Sequence, residues 1–345
     1  MKKTVVYQIG KRIFVKKKLL IILIFLLLCL AFLQLDFPSL LSSINQIPLW
    51  LIVLLLILQI ISQLLFTTQW YQMGKLANIQ ISFWDMFYIN CQGSVVDATG
   101  VRIGGEITRA VKISHIGNCS GEKAASVVAL QKLFSLSAFF FICLFATGYL
   151  INEVPLLQAL SVQLFVYSVL FSFLLLIFSI FVIPHRIKSY LELKPQPRFS
   201  WMSKVKFFLL SLLDPMISLQ KNKKQWMMYF LLAIIIWSVY PVKMYLLTIP
   251  FSSNVHFFSV VAIAFFSYMV ALIPIFPGGL GGFEATMSGL LLAIGFINHD
   301  ALIITILFRF VTFWLVTIIS LIFITYYKAK HSISPIKEVD NSEKK

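Results

Sequence analysis

Glu106, Arg109 and Lys132 in one part of the chain, and Glu284 and Arg309 in another, are the residues whose types and spacing could do chemistry. Each set joins a carboxylate to a cation in otherwise apolar surroundings. Glu106 and Arg109 are three residues apart and share a face of any helix that Glu106 opens; Lys112 continues that face. Lys132 and Arg309 stand inside apolar runs, where a charge costs roughly 2.5–3.5 kcal/mol on insertion scales and calls for a partner. Glu106 is the expected partner of Lys132, and Glu284 of Arg309. Such sets recognise rather than react: the cations hold a phosphate, and the carboxylate tunes them or meets an amine. No catalytic residue is expected, because no Ser/His/Asp arrangement stands out. The five histidines (His115, His185, His256, His299, His331) lack ligand spacing, so neither metal nor cofactor is expected. A phosphate-binding GxxxxGK[ST] loop is missing too, and nothing suggests ATP hydrolysis.

Breaks in the backbone position these groups. Pro274-Ile275-Phe276-Pro277-Gly278-Gly279-Leu280-Gly281-Gly282-Phe283-Glu284 carries two prolines and four glycines and cannot continue a helix, yet both flanks, Phe258–Ile273 and Ala285–Ile297, are too apolar for water. The chain is therefore expected to break inside a membrane, which is tolerated only where protein buries the freed backbone groups or they line a polar cavity. Glu284 opens the half-helix that follows, where the dipole favours a carboxylate.

The whole sequence is suited to such an environment. Hydrophobic residues make up 59 % and charged ones 12 % of 345 residues, against about 25 % charged in soluble chains, and the mean hydropathy is +0.90. The fold class is all-α and polytopic in the membrane, because the apolar runs are long and lack the alternation of barrel strands. The net charge of +16 is concentrated in basic blocks: Met1–Lys18, Thr68–Lys123, His185–Lys224 and the residues after Tyr327. Basic loops mark the cytoplasmic side and attract anionic headgroups. This explains the charge without nucleic acid as a partner. The four cysteines have no CxxC pair and read as small buried hydrophobes. Lys243, near an outer helix end, is expected to snorkel.

The charge pattern orders the chain as a basic cytoplasmic tail 1–18, a single transmembrane domain 19–327 and a cytoplasmic, disordered tail 328–345. The expected spans are Leu19–Phe37, Leu49–Phe66, Ala124–Ile151, Leu156–Ile183, Trp226–Leu247 and Ala301–Tyr327, six in all. The basic loop 185–224 carries an interface-lying helix over Phe199–Leu213. Two re-entrant hairpins complete the order. The first runs in along Ile81–Val96, turns near Asp97-Ala98-Thr99-Gly100 and returns from Gly104-Gly105-Glu106; the second enters at Phe258, breaks at the glycine stretch and returns by Ile297.

The halves match. Gly104-Gly105-Glu106-Ile107-Thr108 resembles Gly281-Gly282-Phe283-Glu284-Ala285-Thr286 with one residue inserted, and a basic residue stands 28 positions after the first glycine of each, Lys132 and Arg309. Repeat one covers 19–151 and repeat two 156–327. The charges orient them oppositely, an inverted repeat of the kind that builds secondary transporters.

Val101-Arg102-Ile103-Gly104-Gly105-Glu106-Ile107-Thr108-Arg109 resembles the Gly-Glu-x-x-Arg block of the lysylphosphatidylglycerol synthase membrane-domain family. Pro277 to Glu284 with Arg309 resembles its second block. These are flippase-like proteins related to the membrane half of the multiple peptide resistance factor, and the resemblance covers about Leu19 to Tyr327. Two departures stand out: Thr99-Gly100 replaces a proline in the first turn, and Gln131-Lys132 replaces an acidic-arginine pair, losing the bidentate fork. The resemblance implies a cell-membrane lipid flippase or lipid transporter acting on a phospholipid or polyprenyl-linked lipid. Both termini are cytoplasmic, the partners are anionic phospholipids or polyprenyl-phosphate lipids, and a homo-oligomer is compatible. The implied headgroup-binding set is Gly104, Gly105, Glu106, Arg109, Lys132, Pro277, Gly278, Gly281, Gly282, Glu284 and Arg309. The alternative is the membrane part of a phosphatidylglycerol lysyltransferase whose soluble catalytic domain is lacking, since the chain stops shortly after its last expected span.

Overall fold

Long apolar runs fold as helices because lipid offers no hydrogen bonds and a helix satisfies its backbone internally. The computed structural model describes residues 45–99, 103–153, 158–193, 200–252, 255–272, 279 and 281–332. The chain divides into units Met1–Gln46 and Ile47–Lys345, and all helices named here belong to the second. Among the described residues the order is α1 (Leu49–Leu76), α2 (Phe83–Asp97), α3 (Gly104–Ile116), α4 (Gly121–Glu153), α5 (Leu160–Val182), α6 (Pro184–Leu193), α7 (Ser200–Lys221), α8 (Lys223–Thr248), α9 (Phe257–Leu272), α10 (Gly282–Ala293) and α11 (Asn298–Arg309). A π-helical turn (Phe310–Trp314) then leads into α12 (Leu315–Ser332). Strands are absent among these residues. α1, Gly121–Ile151 of α4, α8 and the run Asn298–Lys330 are long and apolar enough to cross a bilayer. The protein is an all-α polytopic membrane protein. The expected first span, Leu19–Phe37, and the N-terminal tail lie outside the described residues. The final helix reaches Ser332, beyond the expected tail start at Lys328.

Among the described residues, two pairs of packed helices are each too short to cross. α2 and α3, of 15 and 13 residues, pack on each other, and so do α9 and α10, of 16 and 12. Each pair's first arm also packs on a long helix of the other half: α2 lies on α12, through Tyr88 stacked on Tyr327 and Phe87 against Phe323, and α9 lies on α4. Ser82 starts α2 by accepting the Asp85 N–H at 3.1 Å, and Asp85 accepts the Tyr327 hydroxyl.

Two apolar cores back the two helix pairs. Trp70, Met86, Ile113, Phe134, Met216 and Tyr229 form one; Phe139, Met244, Phe265, Phe283 and Phe308 belong to the other. Lipid is as apolar as leucine, so packing and polar contacts hold these helices together. α1 shows the consequence. Its exposed face is Ile52, Val53, Leu56, Ile57, Ile60 and Ile61, while Gln59, Ser62, Thr67 and Gln69 are buried. The helix buries its polar residues together with Leu51, Leu55, Trp70 and Met73 and leaves an apolar face outside.

Beyond the fifth helix, α6 and α7 are separate, as Pro195 and Pro197 require, although residues 194–199 lie outside the described ones. α7 exposes Met202, Val205 and Phe207 and buries Leu212, Leu213 and Met216.

Candidate functional site

The first expected set comes together at the start of α3. Glu106 sits in the helix's first turn and receives Lys132 Nζ at 2.6 Å on Oε1, with Arg109 Nη1 at 3.4 Å from the same oxygen. Arg109 also reaches Asp97 Oδ2 at 3.0 Å and donates to Ser94 Oγ at 3.4 Å. Its guanidinium lies against the rings of Phe66 and Trp70, 5.7 and 5.5 Å from their centroids. Arg109 is 2 % exposed, whereas the Lys132 side chain is 44 % exposed. The buried cation is thus held by two carboxylates, and the accessible one faces out. Two atoms stay unmatched among the described residues: Glu106 Oε2 and Arg109 Nε are buried without a hydrogen-bond partner. Glu106 Oε2 could accept from an amine, whereas Arg109 Nε is closed off by Gly93.

Glycines make room for this cluster. A Cβ on Gly93 would stand 2.5 Å from Arg109 Nε, and one on Gly105 would stand 2.0 Å from Asp97 Oδ1. Asp97 can swing outward, but Arg109 is pinned between rings. Gly93→Ala should therefore cost about 1–3 kcal/mol of thermal stability by overpacking, more than Gly105→Ala, as melting of the purified protein in detergent would check.

The second set has the same plan. Gly279 and Gly281 take φ of 77° and 84°, a left-handed backbone that a side chain would strain, and the chain turns there into α10. Glu284 Oε2 accepts the Gly281 N–H at 2.7 Å, so the carboxylate caps its own helix, while Oε1 lies 3.3 Å from Arg309 Nε. The Arg309 guanidinium is bracketed by Phe283 and Phe313, at 5.1 and 4.8 Å. Gly282 is buried at the first position of α10. Pro277 and Gly278 lie outside the described residues. Both expected ion pairs, Glu106 with Lys132 and Glu284 with Arg309, are present.

One expectation is corrected. Lys243 does not snorkel: it is fully buried, and Nζ donates to Gln59 Oε1 and Ser62 Oγ of α1, each at 2.7 Å. The Ser62 hydroxyl itself donates to the Leu58 carbonyl at 2.8 Å, so its oxygen accepts from the lysine. Proximity in sequence to a helix end misled the reading, because α1 packs on α8 and covers the side chain. Among the described residues no carboxylate pairs with this lysine.

Sequence reasoning also missed Asp97 as a partner of Arg109, and the polar stripe of α1. Gln59, Ser62, Gln63, Thr67 and Trp70 recur at helical spacing, a signal present in the sequence. The stripe serves both halves. Gln63 Nε2 donates to the Val316 carbonyl at 3.2 Å, just past the π-helical turn that follows Arg309, and Thr67 accepts from Asn90 at 3.3 Å beside the first set. π-Helical turns are frequent at functional sites. Gln131, in place of the acidic residue, donates to Gln69 at 3.0 Å and so faces α1, away from Lys132's pair. Of the cysteines, Cys91 and Cys143 are buried, Cys119 is half-buried, and none of the three is in a disulfide.

The chain resembles known proteins along most of its length. It is 24 % identical to a UPF0104 membrane protein of Pyrococcus horikoshii over 286 residues, which is 78 % of this chain and 84 % of that one. A UPF0104 membrane protein of Methanothermobacter thermautotrophicus is 30 % identical over 98 residues, 28 % of this chain and 29 % of that one. The lysylphosphatidylglycerol synthase TM region matches residues 17–320, which contain both helix breaks and both glutamate–cation pairs; the chain belongs to that family.

Proposed function

We propose that this protein moves the headgroup of a phospholipid or polyprenyl-linked lipid across the bilayer. The observation that carries the reading is the recurrence of one device: a glycine break, a glutamate in the next helix's first turn, and a cation from the following long helix, at 2.6 Å in one half and 3.3 Å in the other. Buried charges of this kind are expensive in a membrane and are kept where a polar ligand passes. The unmatched Glu106 Oε2 and the accessible Lys132 suit a headgroup with both an amine and a phosphate, and the polar stripe of α1 supplies intermediate contacts. In this reading α2–α3 and α9–α10 are re-entrant hairpins entering from opposite sides, the repeats are 19–151 and 156–327, and both termini are cytoplasmic. Anionic phospholipids or polyprenyl-phosphate lipids are the partners, and the two halves alternate access.

The functional test is lipid movement in proteoliposomes. Wild-type protein should translocate a labelled phospholipid, and Glu284→Gln combined with Arg309→Ala should reduce the rate by roughly tenfold or more, the worth of about 1.4 kcal/mol at the passing headgroup. Unchanged rates in the double variant would remove this site assignment. The architecture has its own test: single cysteines at Gly104 and Gly281 should label from opposite sides of oriented vesicles. Labelling of both from one side would overturn the inverted arrangement.

A further inference from the structure

A polar cavity of about 610 Å³ opens at the basic end of the helices, away from both glutamate–cation pairs in sequence and lined by residues of neither. It lies where the last turn of α1, the first turns of α4 and α8, and the middle of α7 meet. Lys75 closes α1 and Lys123 opens α4, and among the described residues neither is in an ion pair. Lys123 Nζ is steered by the carbonyl of Asn78, which accepts from it at 3.1 Å while Asn78 holds φ at 53°. Lys75 Nζ sits over the Tyr71 ring at 4.4 Å. On the opposite wall Gln225 Nε2 donates to the Tyr229 hydroxyl at 2.8 Å, which leaves the phenolic hydrogen for another acceptor. Ser211 and Ser218 add hydroxyls from α7.

The lining contains one acid, Asp214. Its Oδ1 accepts from Lys188 of α6 at 2.7 Å, a lysine that also lies 3.6 Å from Glu192 Oε1, so Lys188 offsets this acid in part and its own pKa is raised, first of all by the hydrogen bond to Asp214. Lys75 and Lys123 outnumber that single acid of the lining and set the sign of the cavity. The first turns of α4 and α8 add positive dipole ends, partly offset by the negative end of α1, and the volume is that of an ordinary small-ligand pocket.

We propose that this cavity binds a phosphate-bearing ligand, with Lys75 and Lys123 holding the phosphate and Tyr229, Ser211 and Ser218 donating to its oxygens. The inference stands on the cavity alone and is independent of the transport reading. A lipid headgroup reaching in from the surrounding leaflet and a free phosphate from solution share this chemistry, and the test separates them.

Native mass spectrometry of the full-length protein in detergent would compare retention of phosphatidylglycerol with that of phosphate-free diacylglycerol, and calorimetry would titrate inorganic phosphate. Preferential retention of phosphatidylglycerol assigns the lipid source; a calorimetric isotherm assigns free phosphate. In either case Lys75→Gln with Lys123→Gln should weaken binding roughly tenfold or more, each lysine near a charged surface being worth several-fold. Lys328→Gln with Lys330→Gln should leave it unchanged. If the first double variant fails to fold, Ser218→Phe, an exposed position on the cavity wall, should abolish binding by filling the space. Glu284→Gln should retain binding, which separates this site from the transport site. Wild-type protein that retains neither probe, or a lysine or Ser218→Phe variant that binds as wild type, overturns the proposal.

Discussion

Arg109→Ala should destabilise the protein by about 2–4 kcal/mol, because it strips the shared cation from Glu106 and the partly exposed Asp97 and empties the space against Phe66 and Trp70. The geometry gives the reason. Arg109 lies 3.0 Å from Asp97 and 3.4 Å from Glu106, is almost wholly buried, and fills the space that Gly93 leaves open. Lys132 remains 2.6 Å from Glu106 Oε1 but is well exposed, and among the described residues it makes no ion pair with Asp97, so it does not replace Arg109 there. Arg109→Lys should recover only part of the loss, since an ammonium cannot span both carboxylates or stack on Phe66 and Trp70 in the same way. Melting of the three proteins in one detergent decides the matter. An Arg109→Ala protein that melts within about 1 kcal/mol of wild type would show that the cluster contributes little to the fold.

Lys243 should behave in the opposite sense. An ammonium buried against neutral oxygens loses its hydration without a counter-charge, and the net cost is several kcal/mol per ion. Replacing Lys243 and its acceptor together, as Lys243→Met with Gln59→Leu, keeps the volume and leaves no orphaned acceptor at Gln59. The double variant should therefore gain about 1–4 kcal/mol of stability. Lys243→Met alone should gain less, because Gln59 Oε1 and Ser62 Oγ lose their donor. If lipid movement passes along α1, the stabilised double variant should also be slower in proteoliposomes, the usual exchange of activity for stability at a strained polar site. A double variant less stable than wild type would mean that the lysine binds α1 more strongly than its desolvation opposes.

Within the membrane, pairing was legible because charge is so costly there. Glu106 with Lys132 and Glu284 with Arg309 could be matched from their position in apolar runs and their equal spacing, and both contacts are present. The helix breaks were legible for a similar reason: clustered glycines and prolines stop a helix, whereas lone ones such as Pro215 in α7 and Pro241 in α8 do not, and α2, α3, α9 and α10 end close to where the residues demand. Lys243 was misread because its neighbours in sequence say nothing of α1, some 180 residues away, which covers it. Asp97's contact with Arg109 depends on how the turn between α2 and α3 folds back, and no spacing rule encodes that.

The sequence by itself determined the all-helical membrane class, the places where helices break and which glutamate meets which cation, since each follows from local backbone limits and the cost of charge in lipid. Tertiary structure alone decided that each short helix pair lies against a long helix of the other half, that α1 turns its polar stripe inward, and that four helices leave an open basic cavity at one end. Those outcomes rest on side-chain shape across distant helices, where lipid exerts no preference and only close packing selects the arrangement.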